Sequence, residues 1–203
     1  MIGIIDYGMG NLRSVYNALD LLGSEVMISS SPDELKKADK LVLPGVGAFG
    51  DGISNLRKSG LASFMQQEVI ESQKPILGIC LGMQLLAKEG FERGRHEGLG
   101  WIDASVRKFE LSDKGLKVPH VGWNEVTFTK ENPIFSRISS GNCFYFVHSY
   151  HMVCADGQDV AATCEYGYTF TASVRKGNIF GTQFHPEKSQ DVGLKVLENF
   201  IDM

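Results

Sequence analysis

The 203-residue chain reads as an α/β protein, with a mostly parallel sheet covered by helices and a β-rich second half. Three observations predict this. Short apolar runs alternate with helical periodicities from Ile2 to Cys80. Alternating segments punctuated by Gly and Asn fill the second half. A glycine-flanked cysteine, Gly78-Ile79-Cys80-Leu81-Gly82, stands where a strand pattern passes into a helix pattern.

The elements follow in order. Ile2 to Asp6 is a short apolar strand. Asn11 to Leu22 carries Leu12, Val15, Tyr16, Leu19 and Leu22 at helical spacing, and Gly23 closes that helix. Val26 to Ile28 is a second strand. Ser31-Pro32-Asp33-Glu34 has the form of a capping box with proline at the first helical position. Leu41 to Leu43 is a third strand, ending in Pro44-Gly45-Val46-Gly47, and Ala48 to Gly52 reads as a pliable loop. A helix is expected over Leu61 to Glu71, a buried strand over Lys74 to Leu77, and a helix over Met83 to Lys88. Lys117 to Thr129, Cys143 to Val153 and Val160 to Arg175 are β-rich; a turn at Lys176-Gly177-Asn178 leads into a further strand. Asp191 to Ile201 reads as a closing helix. No repeat or linker divides the chain, so residues 1–203 are expected to form one domain.

Composition narrows the function. A net charge of −4 with no basic run gives no electrostatic case for nucleic acid. The N-terminus meets Asp6 too early for a signal peptide, and no apolar run reaches membrane-spanning length. Cys80, Cys143, Cys154 and Cys164 form no Cys-x-x-Cys pair, which suits a reduced cytoplasmic protein better than a disulfide framework or a metal site. The five histidines show no ligand cluster, and no metal or cofactor is expected.

Repeated β-α-β units place ligands at the carboxyl ends of the strands. Asp6-Tyr7-Gly8, Pro44–Gly47 and Cys80 all fall on that edge. At such an elbow the unpaired N–H groups of the following helix favour a thiolate and can stabilise an oxyanion. Gly-x-Cys-x-Gly by itself is a weak pattern, and buried cysteines are commonly structural. A second constellation changes the balance. Gln183-Phe184-His185-Pro186-Glu187 ends a strand pattern, and in an extended segment His185 and Glu187 face the same side. A carboxylate on one imidazole nitrogen fixes the tautomer and leaves the other to exchange a proton with Cys80. The order Cys, His, Glu differs from that of α/β-hydrolases, where the acid precedes the histidine. Pro44–Gly47 lacks the Gly-Lys-Ser/Thr ending of a phosphate loop and reads as an oxyanion-hole wall or a plain tight turn.

Gly78 to Gln84 together with His185-Pro186-Glu187 resembles the class I glutamine amidotransferases, or triad glutaminases. The finer resemblance is to the HisH branch of that family. It is carried by Ile5-Asp6-Tyr7-Gly8, Gly10-Asn11, Leu43 to Gly47, Pro119 to Asn124, Tyr145 to Tyr150 and Phe184 to Ser189, and covers essentially the whole chain. It implies a three-layer flavodoxin-like fold with β-rich C-terminal additions. It also implies hydrolysis of glutamine to glutamate and ammonia through a glutamyl thioester, with Cys80 as nucleophile, His185 as base and acid, and Glu187 orienting it. The resemblance implies an oxyanion hole from Gly45, Val46, Gly47 and the Leu81 N–H. Gly47, Gln84, Glu92, Ser149 and Tyr150 would bind substrate, with Glu89 as the alternative to Glu92.

The implied partner is a HisF-type (β/α)₈-barrel cyclase in a heterodimer, contacted through Asn11, Trp123, Tyr145 and Lys188. Ammonia would pass through the barrel to the nucleotide PRFAR, giving imidazole glycerol phosphate and AICAR in histidine biosynthesis. By residue type, Trp123 and Tyr145 are equally core candidates. Two other readings stand beside this one: a paralogue supplying ammonia for surface-sugar amidination, and a flavodoxin-like interaction module whose elbow is a relic.

Overall fold

The computed structural model describes residues 1–112 and 115–203. The elements in chain order are β1 (Ile2–Ile5), α1 (Leu12–Leu21), β2 (Val26–Ser29), α2 (Pro32–Leu35), β3 (Lys40–Gly45), α3 (Phe49–Lys58) and α4 (Leu61–Met65). They continue with β4 (Ile76–Cys80), α5 (Leu81–Leu85), β5 (Ala87–Gly90), β6 (His96–Glu97), β7 (Ile102–Lys108) and β8 (His120–Phe128). The last are β9 (Asn142–His148), β10 (Tyr150–Cys154), β11 (Val160–Glu165), β12 (Thr169–Lys176), β13 (Ile179–Thr182) and α6 (Gln190–Asp202).

One mixed sheet organises the chain, in the order β2-β1-β3-β4-β13-β12-β10-β7-β5-β6. The block β2-β1-β3-β4-β13 is parallel throughout, as the βαβ pattern of the first half requires. From β12 onward pairing is largely antiparallel, and a branch β12-β11-β8-β9 forms a wing. Strand alternation sorts the core to two faces. Ile5, Leu41, Leu43 and Ile76 pack with Leu35, Phe49, Leu56 and Leu61 from α2, α3 and α4. Ile2, Ile4, Val42, Leu77 and Ile79 pack with Val15 and Leu19 of α1 and Val196, Leu197 and Phe200 of α6. Helices therefore cover both faces. No helix of the described residues is long and apolar enough to cross a membrane.

Four local expectations change. The helix after Cys80 stops at Leu85 rather than Lys88. The carbonyls of Leu85, Leu86, Ala87 and Lys88, which would accept from the next helical turn, instead accept from the N–H groups of residues 98–102. That capture turns Ala87–Gly90 into β5, beside β7. The stretch from Ala48 to Gly52, expected as a pliable loop, opens α3; its glycines serve packing. A Cβ at Gly50 would lie 2.6 Å from the His96 ring, and one at Gly52 3.2 Å from Leu85. The helix expected over Leu61 to Glu71 is α-helical only to Met65 and widens into a π-turn over Gln66–Glu71. Finally, Ser31 makes no side-chain cap. Ser29 takes that place: its Oγ donates to Glu34 Oε2 at 2.5 Å and accepts from the Ser31 N–H at 2.9 Å.

Two glycines seat the elbow. A Cβ at Gly82 would lie 1.7 Å from the Leu43 carbonyl oxygen of β3. One at Gly78 would lie 2.8 Å from the Gly82 carbonyl. Their absence lets α5 start directly over the ends of β3 and β4.

The wing is held by a buried aromatic and histidine cluster. His120 of β8 stacks on Tyr166 with ring centroids 3.9 Å apart, and Phe109 packs against His148, His151 and Phe170. His148 Nδ1 faces the Tyr150 carbonyl at 2.8 Å, so it must donate. His148 Nε2 then accepts from His120 Nδ1–H at 3.1 Å. Both rings are neutral. Burial lowers His120 to about 4. Burial lowers His148 to about 3, against the Tyr150 carbonyl, which raises it, and with smaller lowering from the neighbouring histidines.

Gly82→Ala should destabilise the fold by about 3 kcal/mol or more, because backbone lies in the way. Gly157→Ala, where a Cβ meets nothing within 4 Å, should stay within about 0.5 kcal/mol in the same urea titration. Acid should act through the wing histidines. Groups with depressed folded pKa values leave stability intact above the unfolded value near 6.5 and remove it as pH falls below that. Stability should therefore fall from about pH 6.5 toward pH 4.5. His148→Gln should reduce that slope by about one proton, or about 1.4 kcal/mol per pH unit.

Candidate active site

The carboxyl ends of β1, β3 and β4 meet at one point on the sheet edge. Gly45 is the register partner of Cys80, and a Cβ on Gly45 would lie 2.3 Å from Tyr7 Oη. Cys80 itself has φ 55°, ψ −109°, a left-handed backbone that a non-glycine residue adopts only under constraint. Such strain costs about 1–3 kcal/mol. The helix that follows buries Leu81, Met83 and Leu85, each contributing about 1.5–3 kcal/mol, which more than offsets it.

His185 and Glu187 arrive from the other side of β4, beyond the end of β13. His185 Nδ1 donates to Glu187 Oε1 at 2.8 Å, and both side chains are almost fully buried. Their proximity does not come from an extended segment, as the residue spacing suggested. His185 is extended, but Pro186–Lys188 form a 3₁₀ turn, and proline at the first position starts it. The Ser189 hydroxyl locks this turn, donating to the His185 carbonyl at 2.7 Å and accepting from the Tyr145 N–H at 3.0 Å.

His185 Nε2 makes no hydrogen bond of ordinary geometry among the described residues. It faces the Cys80 sulfur closely enough to feel it strongly. Burial opposes a charge on His185, but Cys80 and then Glu187 more than reverse that, raising its pKa to about 9. Burial raises Cys154 to about 11 and Cys164 to about 12, Cys143 is exposed, and all four cysteines are free.

A cavity of about 320 Å³ opens beside the sulfur, lined by Val46, Gly47, Cys80, Leu81, Gln84, Glu92, Pro119, Val147, His148, Ser149 and Tyr150. A wider groove of about 780 Å³ between Phe128 and Arg175 has no cysteine or histidine in its lining. Nearly all the residues expected to bind a ligand line the smaller cavity. Gly45 does not; it lies within β3, where its missing side chain admits Tyr7 and the start of α5. Glu92 lines the cavity, its Oε2 accepting from the Phe49 N–H at 2.9 Å at the start of α3. Glu89 pairs with Arg95 at 2.7 Å and does not reach the cavity. Gln84 donates both to the Tyr150 carbonyl at 2.9 Å and to Gln183 Oε1 at 3.0 Å, leaving its own oxygen to meet a ligand.

Trp123, Tyr145 and Lys188 form one surface cluster. Trp123 and Tyr145 are register partners on β8 and β9, with centroids 6.1 Å apart, and Lys188 Nζ sits 5.9 Å over the Tyr145 ring. Trp123 is 47% exposed, so it is not a core residue. Asn11 precedes α1, next to Gly10, whose Cβ position lies 3.4 Å from the Pro44 carbonyl oxygen.

Two residues beside the sulfur had no assigned part in the sequence reading. Tyr7 Oη is buried without a hydrogen-bond partner among the described residues; burial, and then the charge at Cys80, raise its pKa far above the ordinary phenol value. Gln183 is fully buried and donates from Nε2 to Cys80 Sγ at 3.7 Å. Its position two residues before His185 was its only sequence signal. Among the described residues, no cluster of three or more His, Cys, Asp or Glu could hold a metal ion.

Residues 3–203 match the family model for class-I glutamine amidotransferases. The chain is 52% identical to imidazole glycerol phosphate synthase subunit HisH of Sulfurimonas denitrificans, covering 98% of this chain and 97% of that one. It is 50% identical to subunit HisH 1 of Campylobacter jejuni, covering 98% of each. It is also 47% identical to subunit HisH 2 of Pseudomonas aeruginosa over the full length of both. Among solved structures, PurLQS of Thermotoga maritima shares the fold, with a TM-score of 0.77 at 22% identity over 99% of this chain and 97% of that one. A glutamine amidotransferase of the same organism superposes with a TM-score of 0.64 at 19% identity, covering 99% of this chain and 81% of that one. An α/β sheet with its cysteine elbow, matched by relatives over the whole length at about half identity, places the chain in the class-I glutamine amidotransferase family, in its HisH branch.

Proposed function

We propose that this chain is the glutaminase subunit of an imidazole glycerol phosphate synthase and supplies ammonia to a HisF-type barrel cyclase. The observation that carries the chemistry is the strained Cys80 facing a buried imidazole whose far nitrogen is fixed by Glu187 at 2.8 Å. Cys80 and His185 share one proton, and the raised His185 pKa lets the imidazole hold it as the sulfur attacks. The thiolate then adds to the side-chain amide carbon of glutamine, forming a C–S bond. The amide oxygen becomes an oxyanion, received by the Leu81 N–H and the Val46–Gly47 turn. His185 gives its proton to the leaving nitrogen as the C–N bond breaks, releasing ammonia and leaving a glutamyl thioester. Water, deprotonated by His185, displaces the sulfur and yields glutamate. Gln84, Glu92, Ser149 and Tyr150 hold the amino-acid end; the Glu92 carboxylate suits the ammonium group.

The partner surface is the cluster of exposed Trp123 and Lys188 with half-buried Tyr145, with Asn11 on the same functional edge. Ammonia in bulk water is mostly ammonium and cannot attack, so a dry route through a docked barrel preserves its reactivity. The Val46–Gly47 turn is solvent-exposed, and Gly47 has φ 116°, which leaves it free to reorient when a partner covers it.

Cys80→Ala should abolish glutamine-dependent synthesis by the complex while ammonia-dependent synthesis by the cyclase continues. Loss of both activities in an assembled complex would contradict the division of labour. Glu187→Gln should lower the His185 pKa, read by imidazole NMR, and cut kcat about 10²–10⁴-fold with KM little changed. Glutaminase turnover of the isolated chain should be much slower than that of the complex; equal rates would refute the reorienting turn.

A further inference from the structure

The Cys80 sulfur has a polar neighbour besides His185. Gln183 lies at the end of β13, fully buried, with Nε2 3.7 Å from Sγ. Amide orientation is often ambiguous, but here the network settles it. Gln183 Oε1 accepts from Gln84 Nε2 at 3.0 Å, so its NH₂ faces the sulfur. The second Gln84 hydrogen goes to the Tyr150 carbonyl at 2.9 Å. That carbonyl also accepts from His148 Nδ1, and His148 Nε2 accepts in turn from His120 of β8. Each donor in this chain has its acceptor: His148 and Gln84 both donate to the Tyr150 carbonyl, and from Gln84 the direction runs through Gln183 to the sulfur. A glutamine serving only to fill space would not need its amide fixed at both ends, and an apolar residue would avoid the cost of burying it.

We propose that Gln183 is a positioning residue for the glutaminase reaction, donating an N–H···S hydrogen bond that holds the Cys80 sulfur toward the cavity while Gln84 and the Tyr150 carbonyl hold Gln183. This rests on the glutaminase reading and adds a second donor to the nucleophile. Hydrogen bonds to a charged form favour that form, so Gln183 stabilises the thiolate as well as aiming it. The link through Tyr150 also joins nucleophile placement to the wall that receives substrate: Gln84, Ser149 and Tyr150 line the cavity, and Gln183 senses their arrangement through Gln84.

The test is the pH dependence of Cys80 alkylation by iodoacetamide in the full-length chain, in a Cys143→Ser background that removes the exposed thiol. The titratable groups around Cys80 are His185, with Glu187 behind it, Tyr7, and Glu92, His148 and Tyr150 across the cavity; none is changed. Gln183→Met removes the donor at similar volume. Gln183→Glu keeps an acceptor for Gln84 but sets an anion against the sulfur. The midpoint should rise by about one pH unit in Gln183→Met and by more in Gln183→Glu. In the complex, kcat should fall about tenfold or more with KM within about twofold. A wild-type profile in both variants overturns the proposal, because a merely structural glutamine would not move the midpoint.

A measurement without substitution guards against misfolding. In the wild-type chain, the Gln183 side-chain amide resonance should shift on alkylation of Cys80 and titrate with the same midpoint as the thiol. An unmoved resonance overturns the proposal. Failure of the glutaminase reading is read separately: the wild-type complex would release no glutamate from glutamine, or Cys80→Ala would retain that hydrolysis.

Discussion

Everything at the site depends on how Cys80 leaves its strand. A left-handed backbone at a non-glycine residue is unfavourable, and it survives only because its surroundings permit nothing else. The start of α5 is pressed onto the Leu43 carbonyl through Gly82, and Gly78 leaves room for that turn to fold back on β4. The buried face of α5 supplies the energy, through Leu81, Met83 and Leu85. The result is a sulfur raised above the sheet edge at the first N–H groups of a helix. Because α5 is only five residues long, its value lies in those local N–H groups rather than in an extended dipole.

The second half of the chain holds what the sulfur faces. His185 leaves β13 beside β4, so a parallel neighbour of the Cys80 strand delivers the imidazole. The 3₁₀ turn at Pro186 brings Glu187 back under it, and Ser189 ties that turn to Tyr145 on β9. Tyr145 in turn carries Trp123 and Lys188 at the surface. Only a few side chains therefore separate the buried imidazole from the exposed aromatic face. A parallel arrangement runs through His120, His148 and the Tyr150 carbonyl to Gln84 and Gln183. The wing thus reaches the centre by two routes, one through the 3₁₀ turn and one through neutral histidines.

Charge is distributed to suit this. The wing histidines are kept neutral by burial, whereas the pKa of His185, also buried, is raised by Cys80 on one side and Glu187 on the other. The same desolvation acts on all of them; partners decide the outcome. For Cys154 and Cys164 burial dominates, outweighing Lys130 and the Thr171 hydrogen bond at Cys154, and pushes both to unreactive thiols.

Much of this was legible in the order of residues. Apolar runs alternating with helical spacing fixed the parallel block, because a strand buried on both faces and an amphipathic helix leave different local periods. The glycines about Cys80, the His185-Pro186-Glu187 segment and the edge shared by Asp6, Pro44 and Cys80 were local signals too. Elements governed by distant partners were not legible. Ala87–Gly90 becomes a strand only because residues 98–102 capture its carbonyls, and Phe49–Lys58 helps build the site from glycines that read locally as flexibility. The choice between Glu89 and Glu92 rested on which carboxylate an arginine had already taken. Gln183 next to the sulfur was invisible for the same reason: its donor direction is set by residues about 100 and 33 positions away, Gln84 and Tyr150, which meet only in the folded chain. Sequence alone determined the fold class and singled out the Cys80 elbow, since both are written in local period and turn chemistry. Tertiary structure decided how the sulfur is aimed, because hydrogen-bond direction depends on where each partner's other bonds go.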